Sequence, residues 1–290
     1  MTVSYSLSQF ELAVSSLSKD CRTGFIPTMG ALHQGHISLV KTALKYTDKI
    51  IVSIFVNPTQ FNNPEDLERY PRSIEADCRA LEEAGVSLVF IPSVDDIYPQ
   101  PDTRTFDLEG LDLYGEGPRR PGHFNGVVQV VTRLFDIVKP DYAFFGEKDF
   151  QQLAIIRRMT AKLGYNIEII GCPTFREPDG LAMSSRNMLL TKQHRASAPN
   201  IYKALSKGER IFKESSGDPD VSGVSYSPAE LSSIVALEIN SDPLLKTEYV
   251  EIINSLTLQV IPNWEDAENI RLCTAVYAGN IRLIDNIKLK

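Results

Sequence analysis

Two histidines three positions apart, His33 and His36, lie in the segment Thr28-Met29-Gly30-Ala31-Leu32-His33-Gln34-Gly35-His36, and they are half of the chain's four. Imidazole N–H groups donate to phosphate oxygens, to most effect where negative charge builds on a phosphorus centre in a transition state. Gly35, between the two, lets a nucleotide approach the backbone closely. A second segment, Asp179-Gly180-Leu181-Ala182-Met183-Ser184-Ser185-Arg186-Asn187, places two hydroxyls and a guanidinium in succession. That is the mixture of donors and positive charge a polyphosphate requires. In Gly146-Glu147-Lys148-Asp149, Lys148 supplies a point charge for phosphate, while Asp149 reads equally as a plain helix cap. Phe55-Val56-Asn57-Pro58-Thr59-Gln60-Phe61 sets two amides beside aromatic walls, a description of a pocket for a small polar molecule. Each segment also has a plainer reading: a histidine-capped helix, a solvated turn, a structural turn. Together, the histidine and Ser-Ser-Arg segments favour the phosphate reading.

Loops of this kind need elements to hold them. From Thr23 to about Asn187 the pattern is strand, loop, helix, repeated. Gly24 to Pro27 is short and apolar, and Ile37 to Leu44 recurs at helical spacing. Ile50 to Val56 is long, β-branched and without alternation, as befits a strand buried on both faces. A helix over Ser73 to Glu83, closed by Gly85, and a strand over Val86 to Ile91 follow; then a helix from Val127 to Val138, a strand from Tyr142 to Phe145, a helix from Phe150 to Leu163 closed by Gly164, and a strand from Ile167 to Ile170. This alternation predicts an α/β fold, a Rossmann-like doubly wound parallel sheet that binds ligands outside the carboxyl ends of its strands. The four segments above fall at those ends.

Beyond Asn187 the character changes. A helical stretch over Gln193 to Glu214, a Gly/Ser/Pro-rich loop over 215–228, a helix near Ala229 to Ile239 and strands at Thr247 to Ile253, Ile270 to Ala278 and Ile281 to Ile284 read as a smaller α+β domain, the last two strands joined at Gly279-Asn280. The expected division is 1–187 for a nucleotide- and substrate-binding domain and 188–290 for a C-terminal lid that keeps water from the site.

Composition narrows the partners. The 290 residues carry a net charge of −7 without blocks of Lys or Arg, which argues against nucleic acid. No apolar run approaches the roughly 18 residues of a membrane span. The first residues lack a basic stretch followed by an apolar one, and Cys21, Cys78, Cys172 and Cys273 stand far apart without a C-x-x-C pair; a cytoplasmic protein with small buried thiols is expected.

The paired segments resemble the nucleotidyltransferase superfamily that includes class I aminoacyl-tRNA synthetases. More narrowly, Pro27 to His36, Val52 to Phe61, Arg120-Pro-Gly-His-Phe124, Phe145 to Leu153 and Gly180 to Asn187 are similar to the pantothenate synthetase family, over about residues 22–190 and again near Arg282-Leu-Ile-Asp-Asn286. The resemblance implies a ligase that joins pantoate to β-alanine through a pantoyl-adenylate, consuming ATP and releasing AMP and diphosphate, in the pathway to coenzyme A. It implies that Met29, Gly30, Ala31, Leu32, His33, Gln34, Gly35 and His36 hold ATP, with His36 as proton donor. It adds Gly146, Glu147, Lys148, Asp149, Met183, Ser184, Ser185 and Arg186 to the ATP contacts, and the backbone at Phe175. His33, Lys148 and Arg186 join His36 in stabilising the transition state, Gln60 meets pantoate and β-alanine, and Gln152 meets pantoate. Mg²⁺ accompanies ATP, with Asp77 as its expected contact, direct or through water, and a homodimer is expected. Two other classes share these segments: a nucleotidyltransferase acting on a phosphorylated alcohol, which needs basic residues for a second phosphate, and a non-catalytic nucleotide binder.

Overall fold

A strand apolar at every position has no face to offer water, so it must be covered on both sides. The computed structural model describes residues 1–16, 21–60, 67–68, 73–216 and 226–290, and within them the apolar runs become the middle of a parallel sheet. Its strands are β1 (Thr2–Ser4), β2 (Thr23–Thr28), β3 (Lys49–Ile54), β4 (Leu88–Phe90), β5 (Tyr142–Gly146) and β6 (Glu168–Cys172). Between them run α1 (Leu7–Ser15), α2 (Gln34–Ala43), α3 (Ile74–Glu83), α4 (Val94–Ile97), α5 (Glu116–Arg119), α6 (His123–Val138) and α7 (Phe150–Lys162). The order across the sheet is β1-β4-β3-β2-β5-β6. From β2 the chain winds first one way, through β3 and β4, and then the other, through β5 and β6. The direction therefore reverses between β2 and β5, which pair in parallel at Gly24↔Tyr142 and Phe25↔Ala143. In open sheets of this kind the crevice lies beyond the carboxyl ends of the two strands at the reversal.

The chain divides into two compact units. The first comprises 1–147 and 152–173, the second 148–151 and 174–290. The division thus falls at Pro173, earlier than Asn187, and the Ser-Ser-Arg segment belongs with the C-terminal unit. Hydrogen bonds explain why. The segment 175–183 folds back on itself as a hairpin, with Met183 N–H donating to Phe175 C=O and Glu177 N–H to Leu181 C=O, so its partners lie within itself and not in the parallel sheet.

In the first unit the sheet is cemented by Ile26, Val52, Val89 and Phe144, against which α2 packs Ile37, Leu39 and Val40. In the second, α8 (Lys192–Ser197), α9 (Pro199–Ser216) and α10 (Pro228–Asn240) accompany an antiparallel sheet of β7 (Leu245–Asn254), β8 (Ile270–Ala278) and β9 (Ile281–Lys288). Leu205, Leu231, Ile239, Leu272 and Val276 form its core. The helical stretch expected over 193–214 is two helices, because Pro199 has no N–H and restricts the residue before it. Helix α6 begins at His123, ahead of the expected Val127, after a left-handed Gly122 turns the chain. The strand expected to end near Ile284 continues to Lys288. Most of the loop 215–228, and Phe61 with much of the loop that follows it, lie outside the described residues. Among the described residues no helix is long and apolar enough to cross a membrane.

Candidate active site

The loop that leaves β2 is built around one carboxylate. Asp77, buried in the first turn of α3, accepts from Ala31 N–H through Oδ2 at 2.9 Å and from Leu32 N–H through Oδ1 at 2.8 Å. Ser73 donates its hydroxyl to Oδ1 at 3.0 Å. Gly30 takes φ +81°, a conformation that favours glycine, and a Cβ there would stand a tight 3.1 Å from Ile54 Cγ2 and 3.2 Å from Asp77 Oδ2. Ala31 is left-handed as well, at φ 51°, a conformation that costs about 1 kcal/mol or more for an L-residue. The bond from its amide to Asp77 offsets that cost. Three protein donors engage its oxygens, so Asp77 shapes the loop; a carboxylate offers about four acceptor sites, and this arrangement is compatible with the expected contact to Mg²⁺, direct or through water. Among the described residues no group of three or more His, Cys, Asp or Glu side chains is placed to hold a metal ion.

The loop delivers the chain to α2, where both histidines cap the helix. His33 is the N-cap, and its Nδ1 accepts from Gly35 N–H at 3.2 Å; His36 Nδ1 accepts from His33 N–H, also at 3.2 Å. The rings lie side by side with centroids 4.1 Å apart. A nitrogen that accepts an amide proton carries none of its own, so each neutral ring has its proton on Nε2. The capping and phosphate-donor readings of the pair are therefore compatible, since the caps orient two imidazoles as donors at the positive end of a helix.

Beside this loop the second segment is fixed by Asn57. Its Oδ1 accepts from the Tyr98 hydroxyl at 3.0 Å, and its Nδ2 donates to Gly126 C=O at 3.2 Å and to Gln60 Oε1 at 3.3 Å. Gln60 Nε2 in turn lies 2.8 Å from Met29 Sδ, which brings these two predicted residues together. His123, from the Arg120–Phe124 motif, places its Nδ1 3.0 Å from Gln60 C=O. Gln152 is half-buried in the first turn of α7.

Of the other predicted residues, Gly146 and Glu147 close the first stretch of the first unit, and Lys148, Asp149, Phe175 and Met183 to Arg186 belong to the second. Gly146 ends β5, and Glu147, Lys148 and Asp149 form a 3₁₀ turn directly after it, with Lys148 Nζ 3.6 Å from Asp149 Oδ1. Lys148, Ser184 and Arg186 line a small cleft together with Arg282 and Asp285. Ser184 caps a short 3₁₀ turn, its hydroxyl accepting from Arg186 N–H at 3.3 Å. Phe175 is exposed and faces its hairpin partner Met183 through its carbonyl.

Sequence reasoning assigned no role to the groups that tie this cleft together. Arg176 Nη1 and Nη2 donate to the two oxygens of Asp285 at 2.7 and 3.0 Å, and its guanidinium lies 3.6 Å from the Tyr202 ring centroid. Burial pushes the Asp285 carboxyl above its usual value, with Arg176 and then Lys148 acting against that. Arg195 clamps Glu177 and Asp179, and this pairing holds Asp179 below the usual carboxylate range. Gly180 turns the hairpin at φ +95°, where a Cβ would stand 2.6 Å from Tyr202. The only signal for any of this was the motif Arg282 to Asn286, quoted without a role.

A doubly wound sheet with two donor imidazoles at its reversal, and a second cluster of hydroxyl and cationic donors following β5, defines an α/β protein of the nucleotide-using kind. A model of the pantoate-β-alanine ligase family matches residues 3–288. Pantothenate synthetase of Bacteroides thetaiotaomicron is 47% identical, covering 100% of this chain and 99% of its own, and that of Phocaeicola vulgatus is 48% identical over 100% of each. A crystal structure of pantothenate synthetase from Thermus thermophilus superposes with a TM-score of 0.90 at 38% identity, covering 100% of this chain and 99% of that one. A pantoate-β-alanine ligase from Francisella tularensis, complexed with β-γ ATP and β-alanine, gives 0.79 at 38% identity over 100% and 98%. The chain belongs to the pantoate–β-alanine ligase family. It is a carbon–nitrogen ligase, and the family's reaction is the ATP-dependent condensation of pantoate with β-alanine to pantothenate.

Proposed function

We propose that the chain runs this condensation in two steps, with His33 and His36 at the centre of the first. The observation that carries the reading is the capped histidine pair at the carboxyl end of β2, whose rings offer Nε2–H donors where the sheet reverses. A carboxylate is a poor acyl donor because oxide or hydroxide would have to leave. A pantoate carboxylate oxygen therefore attacks the α-phosphorus of ATP, the bond to pyrophosphate breaks, and the acyl-adenylate forms. Negative charge gathers on the five-coordinate phosphorus, and fixed donors stabilise it more than they stabilise ATP itself.

In this reading Met29 to His36, Gly146 to Asp149, Met183 to Arg186 and the backbone at Phe175 bind the nucleotide. His36 is the proton donor; Lys148, Ser184, Ser185 and Arg186 meet phosphate oxygens. Gln60 holds pantoate and then β-alanine, and Gln152 holds pantoate. Mg²⁺ enters with the phosphates of ATP, and Asp77 meets it directly or through a water. In the second step the β-alanine nitrogen, freed of its proton from an ammonium with a pKa of about 10, attacks the acyl carbon, and AMP departs with the electron pair of the broken C–O bond. A homodimer in the cytoplasm completes the reading.

The test is pantoate-dependent exchange of labelled pyrophosphate into ATP. In His36→Ala the exchange should fall roughly 10²- to 10³-fold while ATP still binds. Exchange at the parent rate would overturn the role given to His36, and a parent protein that forms no adenylate from pantoate and MgATP would overturn the scheme.

A further inference from the structure

Lys148 sits on a three-residue turn, a form too short to hold a side chain still by itself. What holds it comes from the far end of the chain. Asn286, on β9, donates its Nδ2 to Lys148 C=O at 2.9 Å. The same amide is fixed from its other side, because Asn286 Oδ1 accepts from Arg271 Nη1, and the Arg271 guanidinium lies 4.0 Å from the Phe150 ring centroid, two residues beyond Lys148. With both ends of the amide engaged, it cannot flip without losing one bond. Next to it, Asp285 accepts from Asn286 N–H at 2.7 Å and holds Arg176 of the hairpin that carries Ser184 and Arg186. Arg176 also reaches Gly180 C=O at 3.2 Å. Asp285 and Asn286 thus bind, from adjacent positions on one strand, the two loops whose donors line the cleft.

We propose that Asn286 is a positioning residue for the ligase reaction: through the Lys148 carbonyl it sets Lys148 against the Ser184–Arg186 turn, which Asp285 holds through Arg176, so that all the cationic and hydroxyl donors of the cleft converge on one phosphate group. The inference rests on the reading of Lys148 as a phosphate contact. It assigns the 285–286 pair to the adenylation step and leaves the attack of β-alanine on a ready-made adenylate independent of it. A misplacement of about 1 Å is enough to cost a factor near 10² in such a step.

The experiment uses Asn286→Asp, which keeps the acceptor for Arg271 and removes the donor to Lys148; Asn286→Ser, uncharged and too short for either bond, stands in should that variant not fold. Pantoate-dependent pyrophosphate exchange should fall about tenfold to a hundredfold, while aminolysis of supplied pantoyl-adenylate stays within about twofold of the parent. In Lys148→Ala the same change should add nothing further, because the donor it positions is gone; a purely structural effect would add in full. If Lys148→Ala exchanges pyrophosphate at the parent rate, the phosphate role of Lys148 fails and the inference with it. If Lys148→Ala is impaired but the Asn286 variants are not, or their losses simply add, the positioning role alone is overturned.

Discussion

The two units secure their chemistry-bearing loops by opposite means. In the first, a single buried carboxylate, Asp77, gathers backbone amides of Ala31 and Leu32, and the histidines that follow cap the helix with their own rings. In the second, long side chains paired with one another do most of the holding: Arg176 with Asp285, Arg271 with Asn286, Arg195 with Glu177 and Asp179, with Asn286 and Arg176 also reaching the carbonyls of Lys148 and Gly180. A loop held through its backbone has its shape fixed whatever its side chains are. A loop held through long side chains depends on where those chains end, and its geometry is shared among several positions. The first design concentrates its vulnerability in one residue, and the second spreads it according to burial.

That contrast makes a graded set of expectations. Arg176→Ala should be the most damaging, because it leaves Asp285 charged, buried and without its partner; a loss of about 3–5 kcal/mol in urea unfolding is expected, and a loss under 1 kcal/mol would mean that the carboxyl is solvated. Asp77→Ala should follow at roughly 2–3 kcal/mol, the cost of stranding buried amides, accompanied by loss of adenylation beyond what the stability change explains. If its exchange activity survives, the loop does not need its anchor and the contrast between the units collapses. Arg195→Ala should cost least, no more than about 1 kcal/mol, since its pairs are partly solvated.

Its pH dependence has a definite sign. Asp179 is lowered from 3.8 by Arg195, so the pair's stabilisation is present above that value and disappears as the pH falls through the lower folded-state value. Unfolding of Arg195→Ala and parent should therefore differ at neutral pH and converge in acid. A gap that persists or widens in acid would show that the pair stabilises by packing and not by charge.

Much of this was legible in the letters, and the exceptions have physical reasons. Strands β2, β3 and β5 announced themselves because a strand buried on both faces is apolar along most of its length. Helix α1 did not, because only Phe10 among its residues is buried, leaving no stripe to recognise; its neighbour β1 spans three residues at the sheet edge. The segments proposed for the site stood out in the sequence, since donors for phosphate come from a short menu. The supports did not. Asp77 binds backbone amides, which no letter encodes. Arg176 and Asp285 meet across 109 positions of chain, and a single sequence carries no trace of such a pairing.

The manner in which α2 begins has a consequence for what can visit it. A transition metal binds imidazole through a lone pair, and at His33 and His36 the Nδ1 lone pairs already close the helix's first turn. A metal that captured either would have to fray that turn. An ammonium group meets ring N–H groups it cannot bond, whereas an oxyanion meets donors already aimed. In the proposed reading, the preference for anions is thus written into the grammar of a helix start, before any charged side chain is counted.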